Sequence, residues 1–358
     1  MKSKHIAILQ PEVPHYRIDF FNKLKEYISL DIYVYNSFKS SKQQGFNIDT
    51  NNVNYISNKV IKGLLIYNPF AFLSKKYDTL VLMLHFAHIT TWILLFTKFL
   101  HHKKIILWGQ GISVKRYLTE EKKPDWKLKL QIALSDGVWI YMDKEKEMWK
   151  KIFPNKRIVS LNNTLTGVGE MLAYTPNLTK DELKKKYNIT QETVFIFCAR
   201  FESNYRRTDL LVETIKRLDK EKFGFIIIGA GKNKPDFTLF ENVYDFGAVY
   251  ETEIKRELFN IADIYFQPGW VGLSIVEAMA YGKPIFTFER SEETKQCVEY
   301  SYIKSSYNGL IFKDIDSCIN TIMNLGKDDI KRLGDNAKKT ATNLTPKNMA
   351  KNALSILK

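Results

Sequence analysis

Cysteine is scarce in this chain, and the three residues present, Cys198, Cys297 and Cys318, are far apart. They are too few and too scattered for a disulfide framework or a zinc site. The shortage therefore predicts a protein of a reducing compartment, the cytoplasm.

Long hydrophobic runs are missing as well. The apolar run near the N terminus covers only residues 6–9, too little for a signal peptide. The most apolar stretch, residues 80–100, is interrupted by histidine, threonine and lysine and divides into a strand and a helix. A membrane-spanning helix needs about 20 nearly unbroken apolar residues, so none is expected.

Acidic residues are outnumbered, and the imbalance is uneven. The chain has 54 Lys and Arg against 39 Asp and Glu, a net charge of +15. Residues 1–170 hold 26 basic and 14 acidic residues, giving +12, and the remaining 28 and 25 give +3. Such asymmetry points to an anionic partner of the first half: a membrane surface, a phosphorylated acceptor or nucleic acid. A general enrichment in lysine is the alternative.

Short apolar runs alternate with amphipathic stretches, and the series starts twice. Strands are predicted at residues 5–9, 30–36, 78–84, 104–109, 136–141 and 157–161, then at 193–200, 223–231, 243–249, 262–269 and 283–289. Continuous apolar strands separated by helices are typical of buried parallel sheets. The sequence thus predicts an α/β fold of two Rossmann-like, doubly wound domains facing a central cleft.

The domain boundaries follow from the gap between the two series. Residues 161–190 carry no strand signal and are expected to contain the linker, so the domains are predicted at 1–167 and 168–344. Near the end of the sequence, Thr345 is a predicted N-cap with Pro346 at the first helical position. The helix at 345–358 is expected to pack back on the first domain.

The segment from Gln267 to Pro284 follows a predicted strand and opens a helix. Two glycines, Gly269 and Gly272, allow a ligand to approach the backbone. The amides of Gly272, Leu273 and Ser274 then lie at the start of the helix, a place that favours a diphosphate. Glu277, one turn further on, can accept two hydrogen bonds from a ribose.

This segment resembles the donor-binding motif of the family 4, or group 1, glycosyltransferases of the GT-B fold, which build bacterial surface polysaccharides. Their pattern has two glutamates separated by seven residues. Glu277 matches the second, and Gly269 stands where the first would be, so the usual carboxylate contact to the donor sugar is missing. The resemblance also implies that the backbone around Val249 reads the nucleotide base.

A second match covers Cys198 to Leu218, CARFESNYRRTDLLVETIKRL. Arg200 holds the family's arginine position and Arg206 its lysine position, with one extra residue in the loop. Two cations from one loop can bind a diphosphate and neutralise charge that develops on the leaving group. Two solvated arginines are the plainer interpretation.

Three positions in the first half are candidates for the cleft. His15 follows the first strand, Gln110 follows the fourth and stands where many relatives have a histidine, and Asn163 lies where the last strand meets the linker. His15 and Gln110 are assigned to catalysis and Asn163 to donor binding. Ordinary loop chemistry explains each of them equally well.

No metal site is expected. His85 and His88 surround a strand-to-helix turn without an evident third ligand. Asp314 and Asp316 match a D-x-D metal motif, but they open a helix, so capping explains them better.

The resemblance implies a sugar transferase that retains anomeric configuration. The two arginines of one loop and the lack of an evident metal cluster predict that it works without a metal ion, and no cofactor is expected. Its expected partners are a nucleotide-sugar donor, a lipid-linked or oligosaccharide acceptor and an anionic membrane on its inner face. A sugar-nucleotide epimerase of the same fold would need paired acid–base residues, which are not evident. A basic nucleic-acid-binding protein would explain the charge, but no known binding module is present.

Overall fold

The structure is a computed structural model, and it describes residues 5–36 and 53–357. The chain divides into two compact units. Unit 1 comprises Met1–Gly167 together with Thr345–Lys358, and unit 2 comprises Val168–Leu344.

Unit 1 is built on a seven-stranded parallel sheet in the order β3-β2-β1-β6-β7-β8-β9. Its strands are β1 His5–Gln10, β2 Ser29–Val34, β3 Val53–Tyr55, β6 Thr79–Met83, β7 Lys104–Gly109, β8 Gly137–Ile140 and β9 Ile158–Ser160; β4 Asn58–Ile61 and β5 Leu64–Tyr67 form a separate antiparallel hairpin. Its helices before the linker are α1 Ile18–Lys25, α2 Phe70–Leu73, α3 Ile89–Phe96, α4 Lys98–His101, α5 Tyr117–Lys122, α6 Trp126–Leu134 and α7 Asp143–Ile152.

The inner strands of this sheet are apolar throughout because both faces are covered. Within β1, Ala7 and Leu9 point into one hydrophobic core, and Ile6 and Ile8 point into the other. Two cores on opposite faces explain why the sequence shows continuous apolar runs rather than alternation.

Unit 2 has a six-stranded parallel sheet in the order β12-β11-β10-β13-β14-β15. Its strands are β10 Thr193–Cys198, β11 Phe223–Ile228, β12 Val243–Asp245, β13 Ile264–Phe266, β14 Ile285–Phe288 and β15 Gly309–Phe312. Its helices are α8 Val168–Ala173, α9 Lys180–Lys186, α10 Thr208–Arg217, α11 Thr252–Ile261, α12 Ser274–Ala280, α13 Ile315–Met323 and α14 Lys327–Ala341.

Several local predictions are confirmed, and others need adjustment. Asp314 caps α13 by accepting from the amide of Ser317. The strand predicted at residues 243–249 ends at Asp245, because the chain turns at Gly247, whose φ is +62°. Three features of the sheets were not predicted: the short strand β3, the hairpin β4–β5 and the last strand, β15.

The last helix, α15 Pro346–Leu354, belongs to unit 1. Thr345 caps it by accepting from the amide of Asn348, and Pro346 occupies its first turn, which confirms both predictions. Its buried face, formed by Met349, Ala350 and Ala353, joins the same core as Phe20 and Phe21 of α1. Among the described residues, no helix is long and apolar enough to span a bilayer.

Candidate active site

The two sheets each have a topological switch point, where the chain reverses the direction in which strands are added. In unit 2 this lies between β10 and β13, which are neighbours in the sheet although two strands separate them in sequence. Ligands of open α/β sheets bind outside the carboxyl ends of the strands at such a point. Arg200 follows β10 there, and the glycine-containing segment follows β13.

The segment that carries Arg200 is held by backbone contacts with the turn after β11. The amide of Ala199 donates to the oxygen of Ile228 at 3.0 Å, and the amide of Phe201 donates to that of Ala230 at 2.9 Å. Gly229 has φ of +151°, and a Cβ there would come within 2.0 Å of the Ala199 carbonyl oxygen. The G-x-G turn is thus a steric requirement that fixes the backbone on which the exposed Arg200 side chain stands.

Arg206 lies in the following loop and points towards the other strand end. Its Nη1 donates to the carbonyl oxygen of Trp270 at 2.8 Å. Burial lowers the pKa of Arg206, and nearby Arg200 adds to the effect. A half-buried guanidinium next to a second one makes this edge electropositive, and such a site favours an anion.

The two loops lock onto each other at Gly269. The ring of Tyr205 stacks on that of Trp270 with centroids 4.7 Å apart. A Cβ on Gly269 would lie 2.4 Å from the carbonyl oxygen of Tyr205 and 2.8 Å from Cγ of Arg207. Any side chain here, including the glutamate that the family motif has, would push the Arg206 loop away. The departure from the motif therefore has a steric cause.

A buried amide braces the entry to α12. Gln267 donates from Nε2 to the oxygens of Gly269 and Trp270, at 3.1 and 2.7 Å. Its Oε1 accepts from the Tyr265 hydroxyl at 2.8 Å and from the Ser274 hydroxyl at 3.1 Å. The backbone before the helix is thereby fixed. The amides of residues 272–274 lie at the start of α12, where no preceding turn can supply acceptors.

Glu277 is paired with a residue that the sequence did not single out. Lys255 of α11 donates to its Oε2 at 2.7 Å, and the Glu277 side chain is only 12% exposed. Burial alone would lower the pKa of Lys255, but the neighbouring Cys198 and Glu277 outweigh it and raise that pKa above its ordinary value. Lys255 thus adds a third cation to the edge and fixes the Glu277 carboxylate.

Val249 lies in the loop after β12. The loop is tied to the turn after β11 by the amide of Gly229, which donates to the oxygen of Gly247 at 2.6 Å. The amide of Gly247 also donates to Asp245 Oδ1 at 2.9 Å. This loop therefore borders the same edge of the sheet as the Arg200 segment.

Unit 1 has its switch point between β1 and β6. His15, exposed, follows β1, and Gln110, half-buried, follows β7. Asn163 is 2% exposed, and its Oδ1 accepts from Arg17 Nη2 at 2.9 Å. That contact gives Asn163 a structural part in unit 1, whatever its part in binding.

His85 and His88, which follow β6, pack against each other and against Tyr35. Their ring centroids are 4.9 Å apart, and His88 meets Tyr35 edge-on at 5.5 Å. Burial, with a smaller effect from His85, lowers the pKa of His88 to about 3. Among the described residues, no group of three or more His, Cys, Asp or Glu side chains could hold a metal ion.

The structure thus gathers the predicted residues of unit 2 at one sheet edge. These are Arg200, Arg206, Val249, Gly269, Gly272, Leu273, Ser274 and Glu277. Sequence reasoning missed Lys255 and Gln267. Gln267 stood inside the quoted motif and could have been found, whereas Lys255 precedes its partner by 22 residues and gave no local signal.

Comparison with known proteins supports the same assignment. Residues 192–328 match the model of a protein family described as "Glycosyl transferases group 1". No curated protein sequence matches the chain.

Solved structures resemble the chain over its full length. HepE from Anabaena, solved with UDP, has a TM-score of 0.65 at 13% identity, covering 99% of both chains. A glycosyltransferase from Rickettsia africae has 0.65 at 15%, covering 100% of both. The lipopolysaccharide outer core galactosyltransferase WaaB has 0.66 at 14%, covering 99% of both.

These similarities confirm the predicted GT-B fold class. The matched segment contains β10 to β15 and with them every residue named at the edge of unit 2. The chain therefore combines a GT-B fold over its full length with a segment, residues 192–328, that matches the group 1 glycosyltransferase family.

Proposed function

We propose that this chain transfers a sugar from a nucleoside diphospho-sugar to a lipid-linked glycan acceptor during the assembly of a surface polysaccharide. The observation that carries the proposal is the edge of the second sheet. There three cations, Arg200, Arg206 and Lys255, surround a glycine-bounded helix start and the fixed carboxylate of Glu277.

In this proposal the donor lies along that edge. Glu277 accepts from the ribose hydroxyls, with its carboxylate held in place by Lys255. The amides of residues 272–274 and the two arginines bind the diphosphate. The backbone around Val249 contacts the base. Gly269 allows the Arg206 loop to close against the segment before α12, where Arg206 donates to the carbonyl oxygen of Trp270.

Catalysis in this proposal consists of stabilising the departing diphosphate. Negative charge grows on its leaving oxygen as the glycosidic bond breaks, and fixed cations that meet this charge lower the barrier. Arg200 and Arg206 are proposed for this task without a metal ion. Retention of anomeric configuration follows from the family resemblance.

The acceptor is assigned to unit 1, with His15 and Gln110 at its sheet edge. HepE was solved with UDP-glucose, and WaaB is described as an outer core galactosyltransferase of lipopolysaccharide. These relatives support a nucleotide-sugar donor and a surface-glycan product. The excess positive charge of the first half supports an acceptor presented at the inner face of a membrane.

The test is a screen of the purified protein against nucleotide sugars, reading thermal shift and slow donor hydrolysis. We expect one donor class to raise the melting temperature and to release its nucleoside diphosphate. Glu277→Ala should lose both effects, and Glu213→Ala, at an exposed position of α10, should keep them. Equal shifts in the two variants would refute the assignment of the site.

Two further measurements test metal independence and the alternative of an epimerase. Activity that EDTA abolishes and Mn²⁺ restores would contradict metal independence. Interconversion of donor sugars without transfer to any acceptor would favour an epimerase instead.

A further inference from the structure

Helix α3 has an unusual outward face. Thr90, Thr91, Leu94 and Leu95 are buried, and Ile89, Trp92, Ile93 and Phe96 lie on the opposite side. Ile93 is 48% and Phe96 is 56% exposed. A surface helix normally turns polar residues to solvent. Here the outward residues are all apolar, so the helix turns no polar face to solvent.

The neighbouring helices continue this surface. In α4, Phe99 and Leu100 are 70% and 67% exposed, and in α6, Trp126 and Leu130 are 68% and 37% exposed. Helix α6 packs directly against α3. The exposed apolar residues of the three helices therefore lie on adjacent elements.

The hairpin β4–β5 adds a second apolar element. Opposite residues of an antiparallel pair share a face, and the pairs Lys59–Ile66 and Ile61–Leu64 form its outer one. Ile61, Leu64 and Ile66 are 53%, 41% and 40% exposed. The inner face is anchored by Tyr67, whose amide donates to Thr90 Oγ1 of α3 at 2.9 Å. The hairpin thus stands beside α3.

We call the exposed residues of β4–β5, α3, α4 and α6 the apolar face. No part of the described residues 5–36 and 53–357 covers it. A contiguous exposed apolar surface indicates a binding site for another molecule or a membrane.

The charges on these elements indicate whether the apolar face binds a membrane or another protein molecule. Their basic residues are His101 and five lysines, Lys59, Lys62, Lys98, Lys127 and Lys129, and no acidic residue occurs in residues 58–67, 89–101 or 126–134. Lys98 is paired with Asp136, just beyond α6, and the other four lysines lie on the hairpin and on α6. Lysine stems lie along apolar surface while the ammonium groups reach lipid headgroups, and Trp126 is suited to the interface. A second copy of the same face would bring lysines against lysines.

We infer that the apolar face is the surface by which unit 1 inserts into the headgroup region of an anionic bilayer. The inference deepens the proposed function, on which it rests for the lipid-linked acceptor, and it names the residues that make contact. Charge attracts the face to the membrane, and burial of Phe96, Phe99 and Trp126 then holds it.

The experiment is co-sedimentation of the full chain with phosphatidylglycerol-containing or pure phosphatidylcholine vesicles. We expect binding to the anionic vesicles only. Phe96→Ser/Phe99→Ser should weaken it by about tenfold or more, because the variant lacks the two rings that would be buried in the bilayer. Leu239→Ser/Met323→Ser, which removes side chains of unit 2 that are 81% and 63% exposed, is the matched control and should bind normally.

Insertion has its own signature. Brominated lipids should quench the fluorescence of the bound protein, and Trp126→Phe should reduce that quenching while vesicle binding persists. Unchanged binding of Phe96→Ser/Phe99→Ser would overturn the inference. So would a dimer in solution that this variant dissociates, since the face would then bind a second copy.

Nucleotide-sugar binding separates this inference from the proposed function. The apolar-face variants should keep wild-type donor affinity, which also shows that they are folded. A chain that binds vesicles through this face and binds no nucleotide sugar would refute the proposed function alone.

Discussion

The two units share one architecture, but the residues at their sheet edges and on their surfaces differ. Unit 2 concentrates three cations and a carboxylate at its switch point, and the adjoining turns contain two glycines, Gly229 and Gly269, that have no room for a side chain. At its own switch point unit 1 has His15, Gln110 and Asn163, together with the buried Arg17, which lies against the rings of Trp108 and Tyr141. Of the 18 strongly exposed large apolar side chains among the described residues, 13 belong to unit 1. The parallel sheet is common to both units, and the residues of the loops determine which ligand each unit binds.

The comparison is tested most severely at Arg200. Arg200→Ala should lower turnover by about 10²–10³-fold, because a fixed donor to developing charge is removed. Donor affinity should fall by less, since the effect belongs to the transition state. Steady-state kinetics with a titration of nucleoside diphosphate measure both. Lys216→Ala, at an exposed position of α10, is the control. A loss of affinity as large as the loss of turnover would make Arg200 a simple binding residue.

Glu277 sharpens the comparison through its pairing with Lys255. Glu277→Ala should weaken nucleoside diphosphate binding by about 1.5–3 kcal/mol, the value of a hydrogen bond to a charged group. Lys255→Met should weaken it less, and the double variant should show less than the sum, because the two side chains act as one unit. Calorimetric titration of the four proteins gives the coupling. Strict additivity would contradict a positioning role for Lys255.

Gly269 tests whether the steric argument holds. Gly269→Ala should lower the free energy of unfolding by about 1–3 kcal/mol, because the new Cβ meets the Tyr205 carbonyl oxygen and the loop must move. Gly269→Glu should not improve donor binding, although it restores the family motif. Gly169→Ala, where a Cβ meets nothing within 4 Å, is the control. A stable and more active Gly269→Glu enzyme would refute this account.

His88 makes the stability of unit 1 depend on pH, and this effect has no counterpart in unit 2, which contains no histidine. Its folded pKa of about 3 lies below the ordinary value of 6.5, so the unfolded chain binds the extra proton as the pH falls below about 6.5. Stability is then lost by at most about 1.4 kcal/mol per pH unit.

His88→Phe, which keeps an aromatic ring beside Tyr35, should flatten this slope between pH 6.5 and 4. Tryptophan fluorescence during urea unfolding is a suitable probe, since five of the six tryptophans lie in unit 1. Parallel slopes in both proteins would mean that His88 titrates normally in the folded state.

The sequence predicted the long elements of the fold well, for a physical reason. A strand buried on both faces must be apolar throughout, and β7 and β10 show this directly in the residues. The hairpin β4–β5 was missed because its outer face is apolar as well, so it lacks the alternation that marks a half-buried strand. Strand β3, with three residues, is too short to show any pattern.

For the candidate site, the sequence supplied the motif and not the contacts. Glu277 and Arg200 were placed by resemblance, yet the ion pair with Lys255 depends on how α11 packs beside α12, which local patterns do not encode. Gly269 was recognised as a departure from the motif. Its cause, the carbonyl oxygen of Tyr205, lies 64 residues away and needs the folded chain to be seen.

The return of α15 to unit 1 has a consequence for synthesis on the ribosome. Met349, Ala350 and Ala353 complete the core that α1 begins, and the whole of unit 2 is made between them. Unit 2 is a continuous segment and can fold as soon as it emerges. Unit 1 must wait with one core unfinished until residues 346–354 have been made, so the half that starts first is the half that finishes last.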